Sequence, residues 1–129
     1  DKVNQLRHLG FLKNKAEVEN HMKKHADLVR PKFEAAFNAL DAMSPEIGNY
    51  KKPTGGYFIS FNASKPIAKR VIELCKEAGV LITPAGSTYP HFNDPQDSNI
   101  RLAPTFLGLD DLKEAMEVFT TALIIAFEE

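Results

Sequence analysis

A chain of 129 residues, 43% apolar and 26% charged, is long enough for one compact domain and excludes wholesale disorder. Sixteen basic residues against 17 acidic ones leave a formal net charge of −1, which gives no electrostatic basis for binding nucleic acid or an anionic membrane. The longest apolar run, Ala122 to Phe127, is far short of the ~20 residues of a membrane-spanning helix. The lone Cys75 can form no internal disulfide, so a reducing, cytoplasmic setting is expected.

In chain order, Val3, Leu6, Leu9 and Phe11/Leu12 space out one helical face over Asp1–Leu12. Opening on Asp1 in helical sequence, the chain reads as part of something longer. Val18, Met22, Ala26, Val29, Phe33, Phe37 and Leu40 step by three or four and predict one long amphipathic helix from Ala16 to about Met43. Pro31 falls in its middle, which predicts a kink or two helices meeting at Arg30. Ser44 to Gly56 is punctuated by prolines and glycines and leaves room for a short edge strand at Tyr50.

Tyr57–Phe61 is β-branched and aromatic and predicts a strand entered through Gly55-Gly56. Ser64 is expected to cap the next helix, with Pro66 just inside it. Ile67, Val71, Leu74, Cys75 and Ala78 would form its buried face, and Gly79 its end. Val80–Thr83 and Asn99–Ala103 are short predicted strands, each stopped by a proline and separated by a loop of roughly fifteen residues. A last helix runs from Leu109 to Phe127 on the stripe Leu112, Met116, Phe119, Leu123. The pattern is α/β, a small sheet covered by helices.

Most chemistry-bearing residue types fall in unpromising places. His21 and His25 stand one helical turn apart but have no third metal ligand, so surface histidines explain them. Cys75 lies on an apolar stripe and reads as a small core residue. His8 and His91 lack a local partner that would mark either as a base. No helix follows Gly55-Gly56 to make a phosphate loop, and the Lys13–Lys24 stretch alternates with acids as a solvated face does.

Arg101 is different. On a period-two strand, Ile100 and Leu102 point to one face and Asn99, Arg101 and Ala103 to the other. A guanidinium on such a support is a forked donor placed for a carboxylate or phosphate. Pairing with a structural acid such as Asp97 is the plain alternative.

The order Pro53-Thr54-Gly55-Gly56-Tyr57-Phe58, Ala78-Gly79-Val80, Thr83-Pro84-Ala85-Gly86 and Ser98-Asn99-Ile100-Arg101-Leu102-Ala103 resembles the C-terminal small domain of fold-type I aminotransferases, which use pyridoxal phosphate. The likeness is closest to a divergent bacterial group similar to aspartate aminotransferases. It covers nearly the whole chain, most firmly from Pro53 onward, and the four motifs in this order make it specific. It implies one α/β small domain over 1–129, a two-layer unit with a short, mostly antiparallel sheet covered by helices. It implies that Arg101 holds the α-carboxylate of an amino-acid substrate, with Gly56, Tyr57, Pro84 and Gly86 near the mouth of the site.

The family's large domain carries the Schiff-base lysine and the residues that bind the cofactor, and none of those motifs is present. The resemblance therefore implies pyridoxal phosphate in the intact enzyme and none on this chain alone, which is expected to be inactive, with no catalytic residue and no metal ligand of its own. The implied partners are amino-acid and 2-oxo-acid substrates, the enzyme's own large domain and a second subunit of a homodimer. Read without the resemblance, the chain could be a free-standing α/β module whose Arg101 grips an acidic metabolite, or a non-catalytic interaction domain.

Overall fold

The alternation Ile59-Ser60-Phe61-Asn62-Ala63 buries every second side chain, and this segment is the central strand of the sheet. The computed structural model describes residues 1–129 as four helices and three strands in the order α1 (Lys2–Leu12), α2 (Lys15–Asp41), β1 (Gly48–Tyr50), β2 (Ile59–Ala63), α3 (Ala68–Glu77), β3 (Asn99–Leu102) and α4 (Leu109–Glu128). The sheet order is β1-β2-β3, antiparallel throughout. A single turn of 3-10 helix, Pro90–Phe92, interrupts the long loop before β3.

By internal contacts the chain divides into two compact units, Asp1–Pro31 and Lys32–Glu129. In the first, Asp1 caps α1 by accepting from the Val3 amide, and Asn14 caps α2 by accepting from that of Glu17. Phe11 meets His21 edge-on at 5.1 Å between ring centroids. Val3, Leu6, Leu9 and Phe11 are each more than half exposed, so the predicted stripe of α1 exists but is uncovered.

The core belongs to the second unit. Ile59, Phe61, Ile100 and Leu102 face Val71 and Cys75 of α3 and Leu112, Met116, Phe119 and Leu123 of α4, with Ala36 and Leu40 of α2 joining them. Phe61 and Phe119 meet edge-on at 6.0 Å. On the sheet's outer edge, Tyr50 donates its hydroxyl to Asp41 and stacks on Phe37, tying β1 to the end of α2.

The structure corrects four local expectations. First, of the two alternatives at Pro31, two helices meeting at Arg30 do not form: α2 is one element from Lys15 to Asp41 with the proline inside it. Second, β2 begins at Ile59, two residues later than predicted, since Tyr57 and Phe58 lie beyond the last paired residue of β3. Third, Ser64 caps no helix: its hydroxyl donates to the carbonyls of Glu46 and Ile47. The start of α3 is instead satisfied from far away, by the Asp97 carbonyl on the Ala68 amide and the Asp97 carboxylate on that of Lys69. Fourth, Val80–Thr83 has no ladder partner, although Val80 and Ile82 pack against the core and Leu81 points out at 82% exposure.

Gly79 ends α3 as predicted. Its φ of +87° lets the Val80 amide reach the Cys75 carbonyl and its own amide reach that of Lys76, the paired closure of a Schellman motif.

Candidate functional site

Register fixes what shares a face with Arg101. Ser60 pairs with Arg101 and Asn62 with Asn99 across the β2–β3 ladder, while Ile59, Phe61, Ile100 and Leu102 turn to the core. The expected split of β3 into an apolar and a polar face is therefore present. Phe58, two residues before Ser60, puts its ring over the guanidinium with Arg101 Cζ 4.6 Å from the ring centroid.

Arg101 is half-buried and forms no ion pair with any acidic side chain. Asp97, its plain alternative partner, spends its carboxylate on the start of α3. Arg101 Nε is closed to solvent and accepted by nothing, the one buried side-chain nitrogen or oxygen in this condition. A cation held by an aromatic ring, with an unsatisfied N–H and no counter-charge from the protein, is built to meet an anion.

Asn99 is the only buried polar residue, and every polar atom of its amide is used. Its Nδ2 donates to Ser60 Oγ at 2.8 Å and Asn62 Oδ1 at 2.9 Å, and its Oδ1 accepts from Thr88 Oγ1 at 2.6 Å. The Asp94 carboxylate accepts from the amides of Gln96, Ser98 and Asn99, and these bonds, Asn99's foremost, hold its pKa below the ordinary aspartate value. The long loop is thus pinned both at Thr88 and at its exit into β3.

Gly56, at φ +86°, and Tyr57 form the turn that delivers Phe58 to Arg101. Pro84 and Gly86 open the loop whose Thr88 reaches Asn99. Gly86 sits at φ +78° with the Phe92 carbonyl packed where a Cβ would stand. Phe58, Thr88 and Ser60 escaped the sequence reading. Period-two counting back from Ser60 points to Phe58, but only the register shows which strand faces it. Thr88 gives no sequence signal at all.

A cavity of about 660 Å³ runs beside β3, walled by Val80–Thr83, Arg101, Pro104, Phe106 and the first turns of α4. It contains no lysine. Of the chain's other lysines, Lys52 is bound to Asp41, Lys32 to the Thr105 carbonyl and Lys65 to the Phe127 carbonyl. Cys75 is buried in the core, which pushes its thiol up to about 11, and no cluster of metal-binding side chains occurs. No helix is long and apolar enough to cross a membrane.

A two-layer small domain presenting a strand arginine on its sheet face is what the fold and the site define. The sequence model of the family described as aspartate amino-transferase matches residues 1–129, and the chain belongs to that family. It is 41% identical over 131 residues to a protein of Mycolicibacterium smegmatis provisionally named an aminotransferase, a match covering 100% of this chain and 31% of that protein. Among solved structures, one from Corynebacterium diphtheriae, provisionally named an aminotransferase, superposes with a TM-score of 0.93 at 42% identity, over 97% of this chain and 31% of the other. An aspartate transaminase from Corynebacterium glutamicum superposes with a TM-score of 0.92 at 39% identity, over 97% of this chain and 30% of the other. The chain thus spans about a third of the length of the relatives it matches.

The pyridoxal phosphate that the family implies needs an amine for a Schiff base and groups for its phosphate and ring nitrogen. The residues around Arg101 do not fit that need: they offer one cation, hydroxyls and an aromatic face.

Proposed function

We propose that this chain is the C-terminal small domain of a pyridoxal-phosphate-dependent aminotransferase, which moves an amino group between an amino acid and a 2-oxo acid. Arg101 binds the substrate α-carboxylate, and the observation that carries the reading is its half-buried guanidinium, with an unsatisfied Nε and no acidic partner. Arg101 acts by orientation: gripping the carboxylate from a rigid strand fixes the substrate relative to whatever chemistry is brought to it. Gly56, Tyr57, Pro84 and Gly86 border the mouth of that site.

The Schiff-base lysine and the cofactor contacts belong to a large domain outside this chain, so the chain by itself is inactive. When bound there, the cofactor supplies the electron sink, and the protein supplies position. The exposed Val3, Leu6, Leu9, Leu81 and Phe106 support packing against further polypeptide, either the large domain or a second subunit of a homodimer. One cysteine, buried and unpaired, suits a cytoplasmic enzyme.

The test is Arg101→Ala in the full-length enzyme. Hydrogen bonds to charged groups contribute about 1.5–3 kcal/mol each, so losing a two-pronged grip should lower kcat/KM by about 3 kcal/mol or more. Cofactor absorbance should be unchanged. Full activity in that variant would overturn the assignment.

A further inference from the structure

Ser60 and Arg101 are direct cross-strand partners, so their side chains leave the sheet next to each other. Ser60 is exposed, while Asn99 beside it is 8% exposed and fully committed. That commitment decides how the Ser60 hydroxyl is used. Asn99 Oδ1 is the atom that accepts from Thr88, so its Nδ2 faces β2 and donates to Ser60 Oγ. Ser60 therefore accepts, which fixes its oxygen but leaves its own proton unspent. The result is a positioned neutral donor alongside a guanidinium that has no anion of its own.

We propose that Ser60 is a substrate-binding residue that donates its O–H to the carboxylate held by Arg101, with Asn99 and Thr88 positioning it. The inference rests on reading Arg101 as the carboxylate site. It adds a second, uncharged contact to that site and narrows the ligand to compounds whose carboxylate lies flat against the β2–β3 face, one oxygen toward each strand. A directed hydroxyl beside the forked guanidinium adds a second condition of distance and direction on the anion that binds there.

The experiment uses the full-length enzyme with Ser60→Ala, Ser60→Thr and Arg101→Ala. Loss of a hydrogen bond to a charged group predicts a KM for the amino acid raised about 10-fold or more in Ser60→Ala, with kcat within about 2-fold. Ser60→Thr, which keeps the hydroxyl, should restore KM to near the parent value. An amine inhibitor matching the substrate but lacking the carboxylate should bind Ser60→Ala as it binds the parent, a result that a merely structural role would not give. An unchanged KM in Ser60→Ala alongside a raised KM in Arg101→Ala overturns the role of Ser60 alone. Equal weakening of the carboxylate-free inhibitor, or no rescue by threonine, also overturns it. An unchanged KM in Arg101→Ala overturns the carboxylate site and Ser60 with it.

Discussion

The ring of Phe58 covers the guanidinium of Arg101, its centroid 4.6 Å from Cζ. The contact joins the end of a glycine turn to the middle of β3 and holds the guanidinium against the face of the ring. A cation–π contact of this kind contributes roughly 0.5–2 kcal/mol. Phe58→Ala should therefore lower kcat/KM of the full-length enzyme by about 2- to 30-fold, with Phe58→Tyr close to the parent. Steady-state kinetics checks this, and an effect on kcat/KM as large as that of Arg101→Ala would mean that Phe58 does more than hold the arginine.

Two glycines with nearly the same φ should respond differently to alanine. Gly79, at φ +87°, has open space where a Cβ would go, so Gly79→Ala should cost only the left-handed backbone penalty of about 1–2 kcal/mol. Gly86, at φ +78°, has the Phe92 backbone in that space, with the carbonyl carbon 2.6 Å from an ideal Cβ. Gly86→Ala should cost at least twice as much and displace the loop. Urea unfolding of the two variants side by side measures the difference.

Burial raises the Cys75 thiol to about 11. At pH 8 the thiolate fraction is then on the order of 0.001, against roughly a quarter for a free thiol. Alkylation of the folded chain at pH 8 should run about two orders of magnitude slower than that of a free thiol, and it should accelerate sharply above the urea midpoint. Fast modification of the folded chain would contradict the burial.

The Asp94 carboxylate titrates below the ordinary aspartate value because backbone amides, that of Asn99 first, donate to its charged form. A depressed folded-state pKa means that the charged form is favoured by folding. Its stabilising contribution is complete above the unfolded value and is lost as pH falls through the folded one. Asp94→Asn should therefore be less stable than the parent at pH 6, and it should lose less stability between pH 6 and pH 3. Urea midpoints at the two pH values give both comparisons.

What was legible in the sequence was whatever depends on periodicity. The stripes of α2, α3 and α4 and the alternation in β3 each follow from side chains a few positions apart, and so did the placing of Arg101 opposite Ile100 and Leu102. What was illegible depends on a partner far along the chain. Val80–Thr83 has the alternation of a strand and no neighbour to pair with, so β character without a ladder misled the reading. Phe58 belongs to the site only because of a register that pairs residues forty positions apart, and Ser60 matters because Asn99 settles which way its hydrogen bond runs. That Arg101 does not pair with Asp97 was likewise beyond the sequence, because the Asp97 carboxylate accepts from the distant Lys69 amide.

That engagement has a consequence for the order in which the molecule takes shape. The first free amides of α3, at Ala68 and Lys69, are both closed by Asp97, 28 positions downstream of Lys69. During synthesis α3 can coil as soon as it emerges, but its leading turn must wait until the whole connecting loop has left the ribosome and folded back. The Lys69 amide is therefore a local clock for loop docking: its protection from solvent exchange should lag that of Val71, whose partner carbonyl at Ile67 is already at hand.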